Sequence, residues 1–271
     1  MTTTGPDFEA ITSRQQATWA AGDFGRIGSL VVLPPELLCE SLDIHPGDRV
    51  LDVAAGNGAA SLAAARRWAD VTALDFVEHL LESAQKLATL QYLPIRTKLG
   101  DAQDLPFEDG SFDVVLSTFG AMFAPDQQRT ADELVRVCKP GGRIGMTNWT
   151  PDSLVSGIFG VVGSHVPPAA GLRPADQWGT RARIEELFQN RIGALQIRRR
   201  EFTFRFPSDE YMLEYYRAWY GPTQKAFERL DREGQSSLAA DLLALYRSHN
   251  RATDGSLVAA SEYVEVVAVV S

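Results

Sequence analysis

From residue 49 onward the sequence alternates, and that alternation leaves few folds open. Arg49 to Val53 reads as a short apolar strand, Gly56-Asn57-Gly58 as a tight loop, and Ala59 to Trp68 as an alanine-rich helix. The rhythm then repeats. Asp70 to Asp75 is a strand, Glu78 to Leu90 a helix, Ile95 to Leu99 and Phe112 to Ser117 strands, Gln127 to Cys138 a helix and Gly142 to Asn148 a fifth strand. Short apolar runs separated by helical segments predict βαβ units, because a parallel pair of strands needs a long crossover and the helix that supplies it covers the sheet. Open sheets of this kind bind ligands at the carboxyl ends of their strands, so the residues just after Val53, Asp75, Leu99, Ser117 and Asn148 are the first candidates for function.

The flanks are less regular. Residues 8 to 45 read as helical, with Phe8, Ile11, Gln15 and Trp19 at helix spacing, glycines at 22, 25 and 28, and a second segment opened by Pro34-Pro35. Residues 150 to 190 read as a Gly- and Pro-rich loop ending in a helix near Arg181 to Phe188. Leu195 to Phe206 and Glu262 to Val270 read as strands. Between them Ser208 to Asn250 is mostly helical, with Tyr211, Tyr215, Tyr216, Trp219 and Tyr220 clustered at its start. The expected organisation is one unit over residues 1–271. It comprises a helical N-terminal cap at 1–45, a ligand-binding core at 46–149, cap or substrate segments at 150–190 and 207–257, and last strands at 195–206 and 262–270.

A glycine loop between a strand and a helix lets backbone approach a ligand where a side chain would collide. A dinucleotide-binding loop also starts this way, but its fingerprint asks for a third glycine where this chain has Ser61. None of the seven tyrosines has a lysine four residues later, and there is no GK dipeptide, HExxH or GxSxG. A nicotinamide-dependent oxidoreductase and a noncatalytic binding protein both remain open on these residues. Asp and Glu number 35 against 26 Lys and Arg, a formal charge of −9 that should repel a polyphosphate, so no nucleic-acid partner is expected. Cys39 and Cys138 are the only cysteines and lie far apart, which excludes a disulfide framework and a cysteine zinc site; no metal is expected, and the compartment implied is reducing and cytoplasmic. No secretory signal is expected at the N-terminus, and no apolar run is long enough to span a bilayer. His45, His79 and His249 read as solvated or structural. His165, in the long segment after the fifth strand, is the best-placed candidate for a general base. Asp104, Glu108, Asp109 and Asp113 read as turn residues, and Arg198 to Arg200 as an exposed strand edge.

Four ordered motifs, VLDVAAGNG from Val50, VTALD from Val71, GDAQDLPFEDGSFDVV from Gly100 and VCKPGGRI from Val137, carry a resemblance. Together they resemble the S-adenosylmethionine-dependent methyltransferases with the class I Rossmann-like fold, in the branch similar to the ubiquinone and menaquinone biosynthesis methyltransferases. The resemblance spans about residues 49 to 149. It implies an α/β fold with a seven-stranded, mostly parallel sheet, helices on both faces and an antiparallel final strand. It implies S-adenosylmethionine as cofactor and a small-molecule acceptor whose identity it does not specify. Carried over, Asp52 would anchor the loop and the methionyl amine, while Gly56, Asn57 and Gly58 would face the cofactor. Asp75 would hold the ribose with Phe76 beside it, and Asp101 the adenine amine with the Ala102 amide at a ring nitrogen. Ser117 and Thr118 would contact the methionyl group. Many members have glycine where this chain has Ala54, a methyl that is tolerated if the backbone keeps a negative φ. Phe119, Met122 and Phe123 follow the fourth strand, where the fold places the transferred methyl. With Trp219 and Tyr220 they are the acceptor candidates, and Trp19 and Phe24 are candidates to close over the cofactor or to pack on the sheet. Acidic side chains at strand ends suit a sulfonium without phosphates better than the Arg clusters a pyrophosphate needs.

Overall fold

The computed structural model describes residues 5–271; residues 1–4 of the N-terminal segment lie outside the described residues. Three helices come first: α1 (Phe8–Trp19), α2 (Phe24–Gly28) and α3 (Leu33–Ser41). The core then runs β1 (Arg49–Val53), α4 (Ala59–Ala65), β2 (Asp70–Asp75), α5 (Glu78–Leu90), β3 (Arg96–Leu99), β4 (Phe112–Thr118), α6 (Gln127–Val137) and β5 (Cys138–Trp149). After it come α7 (Leu154–His165), α8 (Arg181–Phe188), β6 (Ile192–Phe206), α9 (Asp209–Trp219), α10 (Gly221–Glu228), α11 (Arg232–His249) and β7 (Leu257–Val270).

All seven strands form one sheet in the order β3-β2-β1-β4-β5-β7-β6. β1 pairs in parallel with β2 and β4, β2 with β3 and β4 with β5, while β7 runs antiparallel between β5 and β6. This is the seven-stranded, mostly parallel, Rossmann-like sheet with an antiparallel last strand that the motifs imply. Both faces are covered, which is why β1, β2 and β4 are nearly continuous apolar runs. Leu38, Leu42 and the alanines of α4 cover Val50, Val71, Val114 and Leu116 on one face. Leu134 of α6 and Ile184, Leu187 and Phe188 of α8 cover Leu51, Val115, Ile144 and Met146 on the other. Chain order reverses between β1 and β4, and a crevice opens there at the carboxyl ends of the strands.

The largest departure from the sequence reading is α7. Gly157, Gly160 and Gly163 made it look like a loop, since a mid-helix glycine costs about 1 kcal/mol relative to alanine. In the fold a Cβ on Gly157 would lie 3.0 Å from the Leu245 side chain, so the missing side chain lets α7 lie close against α11. Ser153 starts the helix by accepting the Ser156 amide. β7 begins at Leu257 rather than Glu262 because its small residues pair fully with β6, Phe206 opposite Leu257. The Arg198–Arg200 run does lie on the edge strand, but all three members meet carboxylates of β7: Arg199 faces Glu262, while Arg200 at 2.7 Å and Arg198 at 3.9 Å face the buried Glu265. Asp113 is not a turn residue. It sits in β4, where it accepts the Arg49 amide and pairs with Lys139, and these contacts offset its burial and leave its carboxyl below the ordinary range.

Cys39 and Cys138 are free and buried, and burial pushes both thiols up to about 12. Among the described residues no helix is long and apolar enough to cross a membrane, and no group of three or more His, Cys, Asp or Glu is placed to hold a metal ion.

The N-terminal helices are clasped to the late ones by backbone. The Asp23 amide donates to the Trp219 carbonyl at 2.9 Å, and Gly22 bridges to Tyr220. Gly221 starts α10 against α1, where an added Cβ would stand 2.1 Å from the Thr18 carbonyl oxygen and 2.7 Å from that of Ala21. Gly221→Ala is therefore expected to cost about 1–3 kcal/mol, the usual penalty for overpacking, lowering Tm by about 3 °C or more in a thermal melt. The same substitution should speed hydrogen exchange in α1 while leaving β1 to β5 unchanged.

Candidate active site

The glycine loop is shaped by the carboxylate that ends β2. One oxygen of Asp75 accepts the Gly56 amide at 2.8 Å and the other the Val77 amide at 2.9 Å. The Ala55 amide donates to the Leu74 carbonyl and the Gly58 amide to the Ala55 carbonyl, both at 2.9 Å. Gly56 and Gly58 have φ of +56° and +83°, and a Cβ on Gly58 would come 2.8 Å from the Ala84 Cβ. Gly58 therefore joins α4 to α5, and Gly56 leaves room for the Phe24 ring, 3.2 Å from where a Cβ would stand.

Asp52, 1% exposed, accepts the Ser61 hydroxyl at 2.6 Å. Burial pushes its carboxyl up to about 7 against that hydrogen bond, and burial also raises Asp75. Between the ordinary carboxylate range and about pH 7 the folded chain holds a proton that the unfolded chain has released. Asp52 therefore opposes folding increasingly as pH rises through that window.

Ala54 is not in the negative-φ region that its tolerance was expected to require. Its φ is +55°, a conformation that costs an L residue about 1–2 kcal/mol. Its methyl faces Gly120, where a Cβ would lie 2.8 Å from the Ala54 Cβ and 2.7 Å from its carbonyl oxygen. Next to Gly120, Phe119 is also left-handed at φ +51° and stacks on Trp149 at 4.0 Å.

One cleft, with an empty volume of about 1390 Å³, follows these elements. At one end it is lined by Asp52, Ala54, Gly56, Asn57, Asp75, Phe76, Asp101, Ala102 and Thr118. At the other end stand Phe119, Phe123 and Tyr220. Trp19 and Phe24 line it too and pack edge-on to each other at 5.7 Å. The remaining candidates lie behind the wall. The Ser117 hydroxyl donates to the Val53 carbonyl and accepts the Ala121 amide, stitching β1 to the turn after β4. Met122 is core at 1% exposure. Trp219 faces away, with the Arg26 guanidinium 4.1 Å over its ring. His165, at the end of α7, pairs with Asp241 of α11 at 2.7 Å and is not among the lining residues. Asn57 lines the cleft and also donates to the Gly25 carbonyl, tying α2 to the loop.

The family signature described as "Methyltransferase domain" matches residues 51–146. An uncharacterised protein of Mycobacterium tuberculosis is 37% identical over 245 residues, 89% of either chain. A demethylmenaquinone methyltransferase of Clavibacter sepedonicus is 44% identical over 98 residues, 36% of this chain and 40% of that one. The chain belongs to the class I S-adenosylmethionine-dependent methyltransferases. A geranyl diphosphate methyltransferase solved with S-adenosylmethionine shares the fold, with a TM-score of 0.53 at 18% identity over 89% of this chain and 85% of that one.

This methyltransferase has a cleft suited to its cofactor. The loop amides of Gly56 and Gly58 are taken by Asp75 and Ala55, and among the described residues no Lys, Arg or His lines the cleft, so none of them is set to hold a pyrophosphate. What it offers instead are three carboxylates and the buried Thr118 hydroxyl, which has no partner among the described residues. These suit a cation that carries an amine and hydroxyl groups.

Sequence reasoning passed over several lining residues. Gln103 donates to the Asp101 carboxylate and to Thr12 of α1, and accepts the Asp126 amide, so one side chain joins β3, α1 and α6. Its place two residues after Asp101 was the only signal. Trp149, Phe159 and Phe204 reach the cleft from elements that converge only in three dimensions, and Tyr216, from the aromatic cluster that the sequence offers as a cap over the substrate or as core, lines it with them.

The close fit of Ala54 and Gly120 is testable by a double-mutant cycle. Ala54→Gly relieves the left-handed strain and is expected to stabilise the protein in urea unfolding. Gly120→Ala is expected to destabilise it by about 1–3 kcal/mol. The double variant should recover part of that loss, because the Cβ clash disappears while the clash with the carbonyl of residue 54 stays.

Proposed function

We propose that this methyltransferase acts on a small-molecule acceptor held in the aromatic end of the cleft, within one working unit of residues 1–271 and in a reducing, cytoplasmic setting. The observation that carries this is the continuity of the cleft. A carboxylate-lined loop opens directly into a chamber roofed by α1, α2, α7 and the α9–α10 junction, a space suited to a compact molecule rather than to a duplex. The net charge of −9 also disfavours a nucleic-acid partner.

In this reading Asp52 receives the methionyl amine and Asp75 the ribose. Asp101, steadied by Gln103, receives the adenine amine with the Ala102 amide beside it, and Thr118 a polar group of the methionyl end. When bound, the cofactor supplies a methyl on a sulfonium, an electrophile that needs no further activation. The chain's own work is then to hold the acceptor in line and to exclude water. Phe119, Phe123 and Tyr220 wall the acceptor space, while Trp19 and Phe24 close it from the N-terminal side. Gln16 of α1 donates to the Phe76 carbonyl and Thr12 meets Gln103, so the lid is fastened to the loops that face the cofactor. His165 has no part in this scheme, since its imidazole is engaged with Asp241 outside the cleft.

Calorimetry is expected to show binding of S-adenosylmethionine and of its demethylated product, weakened more than tenfold in Asp75→Ala; tight NADH binding without either sulfur nucleoside would refute the reading. Because the ionised form of Asp52 is the one that meets an ammonium, cofactor affinity should rise with pH by up to about tenfold per unit below pH 7 and level off above it. Asp52→Asn should flatten that profile. In a labelled-methyl acceptor screen, His165→Ala is expected to match the wild type in turnover and in cofactor affinity; loss of turnover with cofactor affinity intact would restore it as a base.

A further inference from the structure

We infer that the acceptor is an amine, reacting through its neutral lone pair, on an otherwise apolar molecule without carboxylate or phosphate; this rests on the methyl-transfer reading above. The charge pattern of the cleft comes first. Among the described residues its only charged side chains are Asp52, Asp75 and Asp101, all at the cofactor end. An anionic acceptor would meet three carboxylates and no cationic partner, whereas a group that becomes cationic meets a favourable field.

The acceptor end supplies the second observation. Trp19 stands 5.0 Å from Phe123 and 5.6 Å from Tyr220, ring centroid to ring centroid. Phe159 lies 5.5 Å beyond Phe123, and Tyr216 5.4 Å beyond Tyr220. Rings gathered from α1, α7, α9 and the turn after β4 all line one chamber. Aromatic faces attract an ammonium, most strongly where water is excluded.

The third is the absence of a free base among the lining residues. Asp52 is engaged by Ser61, Asp75 by two backbone amides and Asp101 by Gln103. Burial pushes the Tyr216 and Tyr220 hydroxyls further from ionisation. A phenol or an enol must lose a proton as it is methylated, and nothing at this end takes one. A neutral amine has no such need, and an apolar chamber favours that form by lowering the amine pKa. Its lone pair forms the new N–C bond, the S–C bond breaks with its electron pair left on sulfur, and the positive charge passes from sulfur to nitrogen. Total charge is conserved, and any N–H proton leaves afterwards to solvent.

The test uses the full chain saturated with S-adenosylhomocysteine, which is uncharged at sulfur, and reads binding rather than turnover. Calorimetry would compare (3-phenylpropyl)trimethylammonium, its isostere with a tert-butyl carbon in place of the ammonium, and 4-phenylbutyrate. The cation is expected to bind at least about tenfold tighter than the isostere and tighter still than the carboxylate. In Phe123→Leu that preference should shrink severalfold while S-adenosylhomocysteine affinity, which reports the fold, stays the same. Equal or tighter binding of the isostere or the carboxylate overturns the amine inference and leaves the methyltransferase site standing. Failure of S-adenosylhomocysteine to bind overturns both.

Discussion

Both oxygens of Asp75 accept backbone hydrogen bonds, and the chemistry of the cleft follows from that arrangement. Because Gly56 donates to one of them, the glycine loop folds toward β2 instead of presenting its amides to a ligand. The loop of a dinucleotide fold leaves such amides free for a pyrophosphate; here they are consumed internally, so this edge of the sheet is negative rather than positive. A ligand must then bring its own donors and positive charge. The same geometry isolates Asp52, whose burial beside Ser61 holds its carboxyl near neutrality and makes the folded chain less stable as it ionises. A buried carboxylate that opposes folding is explained by what it binds, not by what it holds together.

The second constraint is long-range. Residues before the core and residues after it roof the cleft jointly, because backbone from residues 22 and 23 pairs with backbone at 219 and 220. Gly221 lets α10 approach α1 to a distance that no side chain would allow. The roof is then tied to the floor through Gln103 and Gln16, which reach loops at the ends of β3 and β2. Access to cofactor and acceptor is thus governed by one set of contacts, in which ordering α1 over the loops completes both halves of the cleft at once.

How much of this was legible in the sequence follows the range of the interactions. The strands of the core were readable to within a few residues, because strands buried on both faces are apolar runs whatever else the chain does. Topology then marked the ends of β1, β2 and β3, and the family resemblance singled out Asp52, Asp75 and Asp101 there. The acceptor end was not readable in that way. Three glycines argued for a loop at α7, and the contact that makes one of them useful in a helix, Gly157 against the side chain of Leu245, comes from some ninety residues away. Ser117 and Met122 had the right position in the chain but point into structure rather than into the cleft. Trp149, Phe159 and Phe204 carry no local mark of function, since an aromatic residue on a strand or helix is as often core as lining. In the glycine loop, the reading that failed was the negative φ expected of Ala54. Its conformation is imposed by the loop and is not a preference of alanine.

That failure bears on how the two halves of the cleft meet. Ala54 directly follows β1 and Phe119 directly follows β4, the two strands that flank the reversal in chain order, and both are non-glycine residues held left-handed. Each would relax if its surroundings allowed. Ala54 is fixed because the Ala55 amide is bonded to Leu74, and Gly120 packs against the Ala54 methyl. Phe119 is fixed because its amide donates to the Thr147 carbonyl while its ring lies between Trp149 and Tyr263. Strain that persists only because the surroundings over-determine it marks a rigid place, and this one lies in the lining of the one cleft that holds both the carboxylates and the aromatic rings. An in-line transfer between two bound molecules depends on their relative position to within a fraction of an ångström. A wall built from two residues that cannot relax supplies that positional certainty, with no proton-transfer group required at the point where the two ligands meet.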